Sequence, residues 1–338
     1  NIRAALSWSL NGPSDDHAAL GTNLSGALWY YWNLRQRYRE GLRWLEHPVT
    51  QRPRIPIKYR ARATIGAAFL ARRLGQFSKA DTLAMHGLDL ARQAGDPFLI
   101  ALAIAIPISL GTNPAQTRRL WSEAVAAARQ ANDPWILGLI LHRAVPALAY
   151  QTGDIDREMQ MYAEGLHYVR VSGDRWLLAD MYSDQGWAAW RRGDQKAAHT
   201  FLSESLALQR NMNDPIGIAI GLLGLALVAE DLLDDEEAIR LQEERLTIER
   251  GLKNESGIIG ALQDLSRLAL RRGNYPLSWA YLDEMLERAQ QLGDVLWIIL
   301  ARLRRVANLF EQGRYHEAEH DGRDLITLLN DSRHESVR

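Results

Sequence analysis

One pattern dominates this sequence: between Gly153 and Asn330 it repeats itself every 40 residues. Four sets of residues fall into register at that spacing, and each set marks one position of the repeat. The sets are Gly153, Gly193, Gly273 and Gly313, with Leu233 in the missing slot; Asp174, Asp214, Asn254 and Asp294; Leu166, Leu206, Leu246, Leu286 and Ile326; and Ala198, Ala238, Ser278 and Ala318. Several registers at one period indicate an array of stacked repeats rather than a chain folded around one globular core.

The unit from Asp174 to Asn213 shows what one repeat builds. Its first segment, 175–192, carries apolar residues at helical spacing, and Gly193 interrupts it as glycine does where a helix ends in left-handed backbone. Asp194 can cap the second helical segment, Gln195–Met212. Each repeat therefore predicts a hairpin of two helices, which we name A and B in chain order.

Several helix starts are marked by an acid followed by proline, as in Asp96-Pro97, Asp133-Pro134 and Asp214-Pro215. The carboxylate can accept a free backbone N–H of the first turn, and proline lacks the N–H that would otherwise be unsatisfied there. These dipeptides predict where A helices begin.

The repeat positions resemble those of the tetratricopeptide repeat. A small residue on helix A (Gly186), a glycine-acid turn (Gly193-Asp194), a small residue early in helix B (Ala198) and a leucine eight positions later (Leu206) follow that family's pattern. The resemblance covers nearly the whole chain, although the family's usual period is about 34 residues. Arrays of longer period resemble the C-terminal sensor domains of bacterial STAND-type signalling ATPases and of related transcriptional regulators. The opening residues 1–10 and 26–46 resemble the start of such an array.

The resemblance implies an all-α fold: a right-handed α-solenoid, or superhelix, of about eight hairpins. We expect three regions. Residues 1–56 hold the N-terminal helices, the first hairpin and a proline-containing linker; residues 57–330 form the repeat array; residues 331–338 are a polar tail. The first hairpin contains the densest aromatic run of the chain, Trp29-Tyr30-Tyr31-Trp32.

The composition limits the kinds of partner that we expect for this chain. The net charge is −1 and the pI is about 6.8, whereas a protein that binds a nucleic-acid backbone carries a basic excess, so we expect no direct nucleic-acid contact. The apolar runs 98–110 and 216–229 are shorter than the ~20 residues of a membrane span, so we expect no membrane insertion. The chain has no cysteine, which fits a cytoplasmic location.

No catalytic motif stands out. Phosphate-binding glycine loops and nucleophile elbows are absent, and the one formal match is the zinc-protease pattern H-E-x-x-H at 316–320. Ala318 occupies the packing position of the repeat, so His316 and His320 are expected to face solvent. We therefore expect no enzyme, no cofactor and no metal, with a zinc hydrolase as a remote alternative.

In the family that the chain resembles, the A helices line an inner groove. Carrying those positions onto this sequence gives a set that we name the predicted groove residues. They are Phe69, Arg72, Arg73, Arg143, Tyr150, Gln151, Asp180, Ser183, Trp187, Trp190, Arg191, Glu230, Asp231, Gln263, Arg267 and Arg271. Trp187, Trp190 and Arg191 are the first choice, because two indoles beside a guanidinium can stack on a flat group and hold a carboxylate. The alternative is that both tryptophans pack between hairpins.

The function expected from this resemblance is recognition without catalysis. The chain would be the sensor part of a larger STAND-type ATPase or transcriptional regulator and would hold a protein or peptide in its groove. The alternative on the same scaffold is a sensor of a small-molecule inducer, which would need a closed pocket rimmed by aromatic side chains.

The last helix predicts self-association through hairpin eight. One B helix cannot bury four apolar residues against its own A helix, and this helix carries Leu325, Ile326, Leu328 and Leu329.

Overall fold

The computed structural model describes residues 1–47, 52–108 and 114–335, which form seventeen helices and no strand. The helices are α1 Ile2–Leu10, α2 Asp15–Leu34, α3 Tyr38–Leu45, α4 Ile57–Arg73, α5 Phe77–Ala94, α6 Pro97–Ile108, α7 Pro114–Ala131, α8 Pro134–Thr152, α9 Ile155–Ser172, α10 Arg175–Arg191, α11 Gln195–Met212, α12 Pro215–Asp231, α13 Asp235–Leu252, α14 Glu255–Arg271, α15 Tyr275–Leu292, α16 Val295–Glu311 and α17 Tyr315–Glu335. The predicted all-α fold of successive A and B helices is confirmed. The even-numbered helices from α2 to α16 are the A helices.

Helix boundaries lie where local capping chemistry puts them. Asp194, Asp214 and Asp294 each accept a hydrogen bond from a backbone N–H in the first turn of the helix that follows. The A-to-B turns pass through left-handed backbone, at Gly193 with φ 80° and at Leu233 with φ 61°. Leu233 adopts this conformation although a side chain disfavours it, which explains why glycine occupies the other turns of this register.

Small residues set how closely A and B helices approach. In the seventh hairpin, Ser266 of α14 and Ser278 of α15 are both buried, and each hydroxyl donates a hydrogen bond to the backbone carbonyl of the other residue. In the fifth hairpin a Cβ added to Gly186 would come within 2.6 Å of Leu202. The positions that the sequence marks as small are therefore the helix-crossing points.

The chain divides into two compact units, unit 1 from Asn1 to Met181 and unit 2 from Tyr182 to Arg338. Unit 1 buries large side chains such as Trp32 and Leu70 between successive hairpins. Unit 2 contains a core cluster around Leu202 and Leu222 and another around Leu262 and Met285. The domain limits expected at residues 56 and 330 stay predictions; the last helix runs on to Glu335.

The final helix leaves part of its apolar face uncovered. Leu325 is buried, whereas Ile326 is 59% exposed and Leu329 is 38% exposed. Ile326 occupies the repeat position of Leu206 and Leu246, each 6% exposed. The sequence predicts that α17 cannot bury all four of its apolar residues, and Ile326 and Leu329 remain exposed while Leu325 is buried; the side chain of Leu328 lies outside the described residues.

None of the helices in ranges 1–47, 52–108 and 114–335 is long and apolar enough to cross a membrane. Across the same ranges, no three His, Cys, Asp or Glu side chains form a group that could hold a metal ion. His320 lies on α17 with its side chain 75% exposed, 3.5 Å from Asp324.

Candidate functional site

Unit 1 contains a cavity of about 500 Å³ between the C-terminal half of α2 and the first turns of later A helices. Five helices and one turn supply its walls: α2, α4, α6, α8, the last residue of α9 and the turn before α10. Its lining residues are Gly26, Ala27, Trp29, Tyr30, Arg62, Phe98, Leu102, Trp135, Ser172, Gly173 and Asp174. Four of these eleven residues are aromatic, and a carboxylate and a guanidinium supply the charges of the cavity.

Three aromatic residues reach this end of unit 1 for one local reason. Phe98, Trp135 and Trp176 each stand two positions after an N-cap aspartate, in the first turn of an A helix. Since the A helices lie side by side, residues at the same position of successive helices come close together. Phe98 and Trp135 stack at 6.1 Å between ring centroids, with their planes 20° apart.

Asp174 joins the two ends of unit 1. Its Oδ1 accepts hydrogen bonds from the backbone N–H groups of Trp176 and Leu177 and so caps α10. Its Oδ2 accepts from the Tyr30 hydroxyl at 2.5 Å and from Trp135 Nε1 at 2.7 Å. One carboxylate thus fixes the orientation of two aromatic side chains on α2 and α8.

The aromatic contacts extend inward from this carboxylate. Tyr30 packs edge-on against Trp135 with centroids 5.3 Å apart, and Trp29 stacks on Phe69 at 4.5 Å. Burial, followed by the charge of Asp174 and the hydrogen bond to it, raises the pKa of Tyr30 far above its ordinary value. The tyrosine therefore stays a neutral donor throughout the physiological pH range.

Arg62 brings a positive charge to the cavity. It lies on α4 beside Gly26 of α2, where an added Cβ would come within 3.1 Å of the arginine side chain. The glycine therefore allows α2 and α4 to approach closely at this point. Among the described residues, Arg62 forms no ion pair or hydrogen bond.

A second group of charges lies on the A helices α4, α8 and α10. His142 Nε2 is 3.3 Å from Asp180 Oδ2, and His142 is buried. Burial alone would raise the pKa of Asp180, but the hydrogen bond from His142 and the charges of His142, Arg143 and Arg73 hold it below its usual value. We name Arg72, Arg73 and Arg143 the arginine cluster.

Two guanidinium groups of the arginine cluster have buried N–H donors. Burial lowers the pKa of Arg72, the charge of Arg143 lowers it further, and Asp81 opposes both effects. Arg72 Nη1 and Arg143 Nε are buried without a hydrogen-bond partner among the described residues. Arg73 lies over the rings of Tyr38 and Trp176, at 5.6 and 5.9 Å. Buried N–H groups without acceptors favour the binding of an anion.

The predicted groove residues of unit 1 fall into two parts. Arg72, Arg73, Arg143 and Asp180 come together as described above, whereas Phe69 is only 9% exposed and supports Trp29 from behind. The side chains of Tyr150 and Gln151 lie outside the described residues.

The predicted groove residues at the start of unit 2 are placed differently. Ser183 is buried, and Arg191 is exposed at the end of α10. Trp187 and Trp190 meet edge to face, 5.7 Å between centroids, and both pack against the core cluster of Leu202 and Leu222. Trp190 Nε1 donates to Asp231 Oδ2 at 2.7 Å. This placement matches the packing alternative, and a ligand contact by these tryptophans stays a prediction.

The remaining predicted groove residues of unit 2 largely pair with each other. Glu230 is buried and accepts two hydrogen bonds from Arg267, one of them Nη2 to Oε1 at 2.8 Å. Arg271 binds Asp235, one hairpin back along the chain. Gln263 is half-buried on α14. These charges therefore stabilise the stacking of hairpins.

The sequence analysis names Arg72, Arg73 and Arg143, which the structure brings together, but it does not name the aromatic cavity. The aromatic run in α2 was visible, but nothing local shows that Tyr30 meets Asp174, 144 residues away. A usable signal was the aromatic register after the N-cap aspartates, Phe98, Trp135 and Trp176, spaced 37 and 41 residues apart.

No protein-family model and no curated protein sequence matches the chain. Solved structures do match. The signal transduction ATPase with numerous domains and a tetratricopeptide repeat sensor from Pyrococcus horikoshii aligns with a TM-score of 0.70 at 14% identity, over 99% of this chain and 53% of that one. The chain therefore spans about half the length of that protein.

The quorum sensor NprR matches in two states. Its apo form from B. thuringiensis gives a TM-score of 0.65 at 16% identity, over 97% of this chain and 92% of that one. Its complex with the cognate peptide NprX gives 0.55 at 16% identity, with the same coverage. The fold is that of a tetratricopeptide-like array of helical hairpins. The resemblance stated from the repeat registers is confirmed at the level of this fold.

Proposed function

We propose that this chain is a non-catalytic sensor module that holds a protein or peptide segment against its A helices, with the arginine cluster of unit 1 as the anchor. The observation that carries the proposal is the pair of buried, unpartnered N–H groups on Arg72 and Arg143. A carboxylate placed there would accept these hydrogen bonds and lie beside the positive charges of the arginine cluster.

The comparisons support this class of function by analogy. NprR was solved with a peptide, and the Pyrococcus horikoshii protein is described as having a tetratricopeptide repeat sensor. By that analogy the chain would serve as the sensor part of a cytoplasmic STAND-type ATPase or transcriptional regulator. It would act through a protein or peptide partner without contacting nucleic acid directly.

A peptide array tests the anchor. Short peptides of varied sequence are prepared in two copies, one with free carboxyl termini and one amidated, and probed with the wild-type chain. We expect a subset to be retained, with the free-carboxylate copy favoured by about tenfold in affinity.

The matched variants decide the result. Arg72→Gln/Arg143→Gln should lose the retained peptides, whereas Arg118→Gln/Arg119→Gln removes the same charge from exposed positions on α7 and should keep them. No peptide retained by the wild type, or equal loss in both double variants, would count against the proposal.

The aromatic cavity supports a second candidate, a sensor of a small-molecule inducer. Its volume of about 500 Å³ lies within the range of small-molecule sites, and aromatic side chains rim it. Thermal-shift measurements with a fragment collection on the wild type and on Ala27→Phe, which fills the cavity, test this candidate. Stabilisation that is equal in both proteins would contradict it.

We also propose self-association through hairpin eight, because Ile326 and Leu329 on α17 are exposed. Light scattering should show a concentration-dependent dimer that Ile326→Glu/Leu329→Glu abolishes. A wild-type monomer at every accessible concentration would contradict this.

A further inference from the structure

The aromatic cavity of unit 1 is preorganised. Tyr30 and Trp135 are held by Asp174 through their polar hydrogens, and Trp29 is held by stacking on Phe69. Side chains whose orientations are fixed by second contacts can receive a ligand without first being ordered. The walls therefore exist before any ligand arrives.

The shape of the walls favours a planar ligand. Phe98 and Trp135 lie nearly parallel, 20° apart, and both are half-buried, so that part of each ring remains uncovered. Tyr30 is also half-buried. An aromatic ring inserted among them can stack on one ring face and meet the edge of another, the two arrangements that aromatic pairs prefer.

The charges of the cavity favour an anion. Asp174 could attract a cation, but its two oxygens already accept four hydrogen bonds, two of them from the N-terminus of α10, whose dipole also offsets the negative charge. The neighbouring Asp96 is paired with Lys58 at 2.8 Å. Arg62 is the guanidinium in the lining, and no described residue accepts its hydrogen bonds.

We infer that this cavity binds a planar aromatic molecule carrying one anionic group, with the ring among Tyr30, Phe98 and Trp135 and the anion on Arg62. This rests on the second proposed function, the sensing of a small molecule, and adds the chemical class of the ligand. Arginine suits the role because its fork of donors can hold a carboxylate through two parallel hydrogen bonds.

Three probes of one ring system separate charge from shape: naphthoate, naphthamide and naphthyltrimethylammonium. Their affinities for the full chain are measured by isothermal titration calorimetry. We expect naphthoate to bind about tenfold more tightly than the neutral amide, and the cation to bind most weakly.

Variants locate the binding. Arg62→Gln should bring naphthoate down to the affinity of the amide, while Arg118→Gln, which removes a charge from exposed α7, should change nothing. Ala27→Phe should abolish binding of both naphthoate and naphthamide by filling the cavity. Circular dichroism melting of each variant shows that it is folded.

Three outcomes would overturn the inference: tighter binding of the cation, equal affinity for the acid and the amide, or an unchanged acid affinity in Arg62→Gln. Equal affinities that Ala27→Phe abolishes would leave small-molecule sensing standing and remove only the anionic class. No binding of any probe would overturn the inference, and absence of a response to the fragment collection would remove the proposed function with it.

Discussion

Units 1 and 2 are built from the same helical hairpin but hold their hairpins together differently. In unit 1, Tyr30 and Asp174 are hydrogen-bonded across 144 residues, so the first hairpin contacts the turn that begins α10. In unit 2 the bonds between hairpins join positions about one repeat apart, such as Trp190 with Asp231, 41 residues on, and Arg267 with Glu230, 37 residues back. These hydrogen bonds in unit 2 join neighbouring hairpins, whereas the bond between Tyr30 and Asp174 in unit 1 joins hairpins that are several repeats apart.

The difference follows the repeat spacing. The N-cap residues from Asp174 to Asp294 are spaced by 40 residues, whereas Asp96, Asp133 and Asp174 are spaced by 37 and 41. At a constant period, a charge and its partner recur at matching positions, as in Arg210–Glu244 and Arg250–Glu284, each 34 residues apart. The unpartnered N–H groups and the aromatic cavity lie where the period changes. Departure from the repeat is therefore the feature that marks the candidate site.

The largest expected effect comes from removing the side-chain hydrogen bonds that Asp174 accepts from Tyr30 and Trp135 in unit 1. Asp174→Ala removes a helix cap and leaves the Tyr30 hydroxyl and the Trp135 indole without their acceptor, so unfolding should become easier by about 3 kcal/mol. Asp294→Ala removes a cap that accepts only backbone N–H groups and should cost about 1 kcal/mol. Hydrogen exchange, read separately over α2 and over α16, measures both. Equal costs would mean that the side-chain bonds to Asp174 add nothing.

Sequence predicted the hairpins well because their determinants are local. Asp194 caps its own helix and Gly193 ends the previous one, so both boundaries can be read within a few residues. The arginine cluster was also reachable, since a repeat position maps onto a face of the array. The cavity was not, because Tyr30 meets Asp174 through the packing of several helices, and periodicity does not report how an array curves.

A smaller effect is expected from the paired charges of unit 2. Glu230→Gln leaves the half-buried Arg267 without its carboxylate and should destabilise unit 2 by about 2 kcal/mol. Glu244→Gln breaks an exposed pair with Arg210 and should cost about 0.5 kcal/mol or less. Urea unfolding of both variants, with Arg267→Gln added to close a double-mutant cycle, provides the comparison. A cycle energy near zero for Glu230 and Arg267 would show that this pair only fills space.

On acidification, one aspartate in each unit should change the stability of the protein in opposite directions. The pKa of Asp180 is held low, so its contribution in unit 1 is present above its unfolded-state pKa, about 3.9, and is lost as the pH falls through the folded value. Burial raises the pKa of Asp264 in unit 2 despite Arg245, so its contribution is lost as the pH rises from the unfolded value through the folded one. Each group adds a slope of at most about 1.4 kcal/mol per pH unit.

The measurement is the urea midpoint between pH 6 and pH 3, with Asp180→Asn and Asp264→Asn beside the wild type. Relative to the wild type, Asp180→Asn should flatten the loss of stability on acidification, and Asp264→Asn should steepen it. Changes of the same sign in both variants would contradict the assignment.

The smallest effect is expected at Leu233, which stands in unit 2 at a turn where the repeat otherwise has glycine. Leu233 holds φ at 61° and is 81% exposed, so its side chain gives little packing in return for a left-handed backbone. Leu233→Gly removes that steric cost, about 1–2 kcal/mol, but adds freedom to the unfolded chain, so a net gain of about 0.5 kcal/mol is expected. The reverse change at the matching turn, Gly193→Ala, meets no atom within 4 Å of the new Cβ and should lose about 1 kcal/mol from its φ of 80° alone. Thermal melts of both variants measure the difference. A loss of stability in Leu233→Gly would mean that this exposed leucine makes a contact that the glycine turns of the register do without.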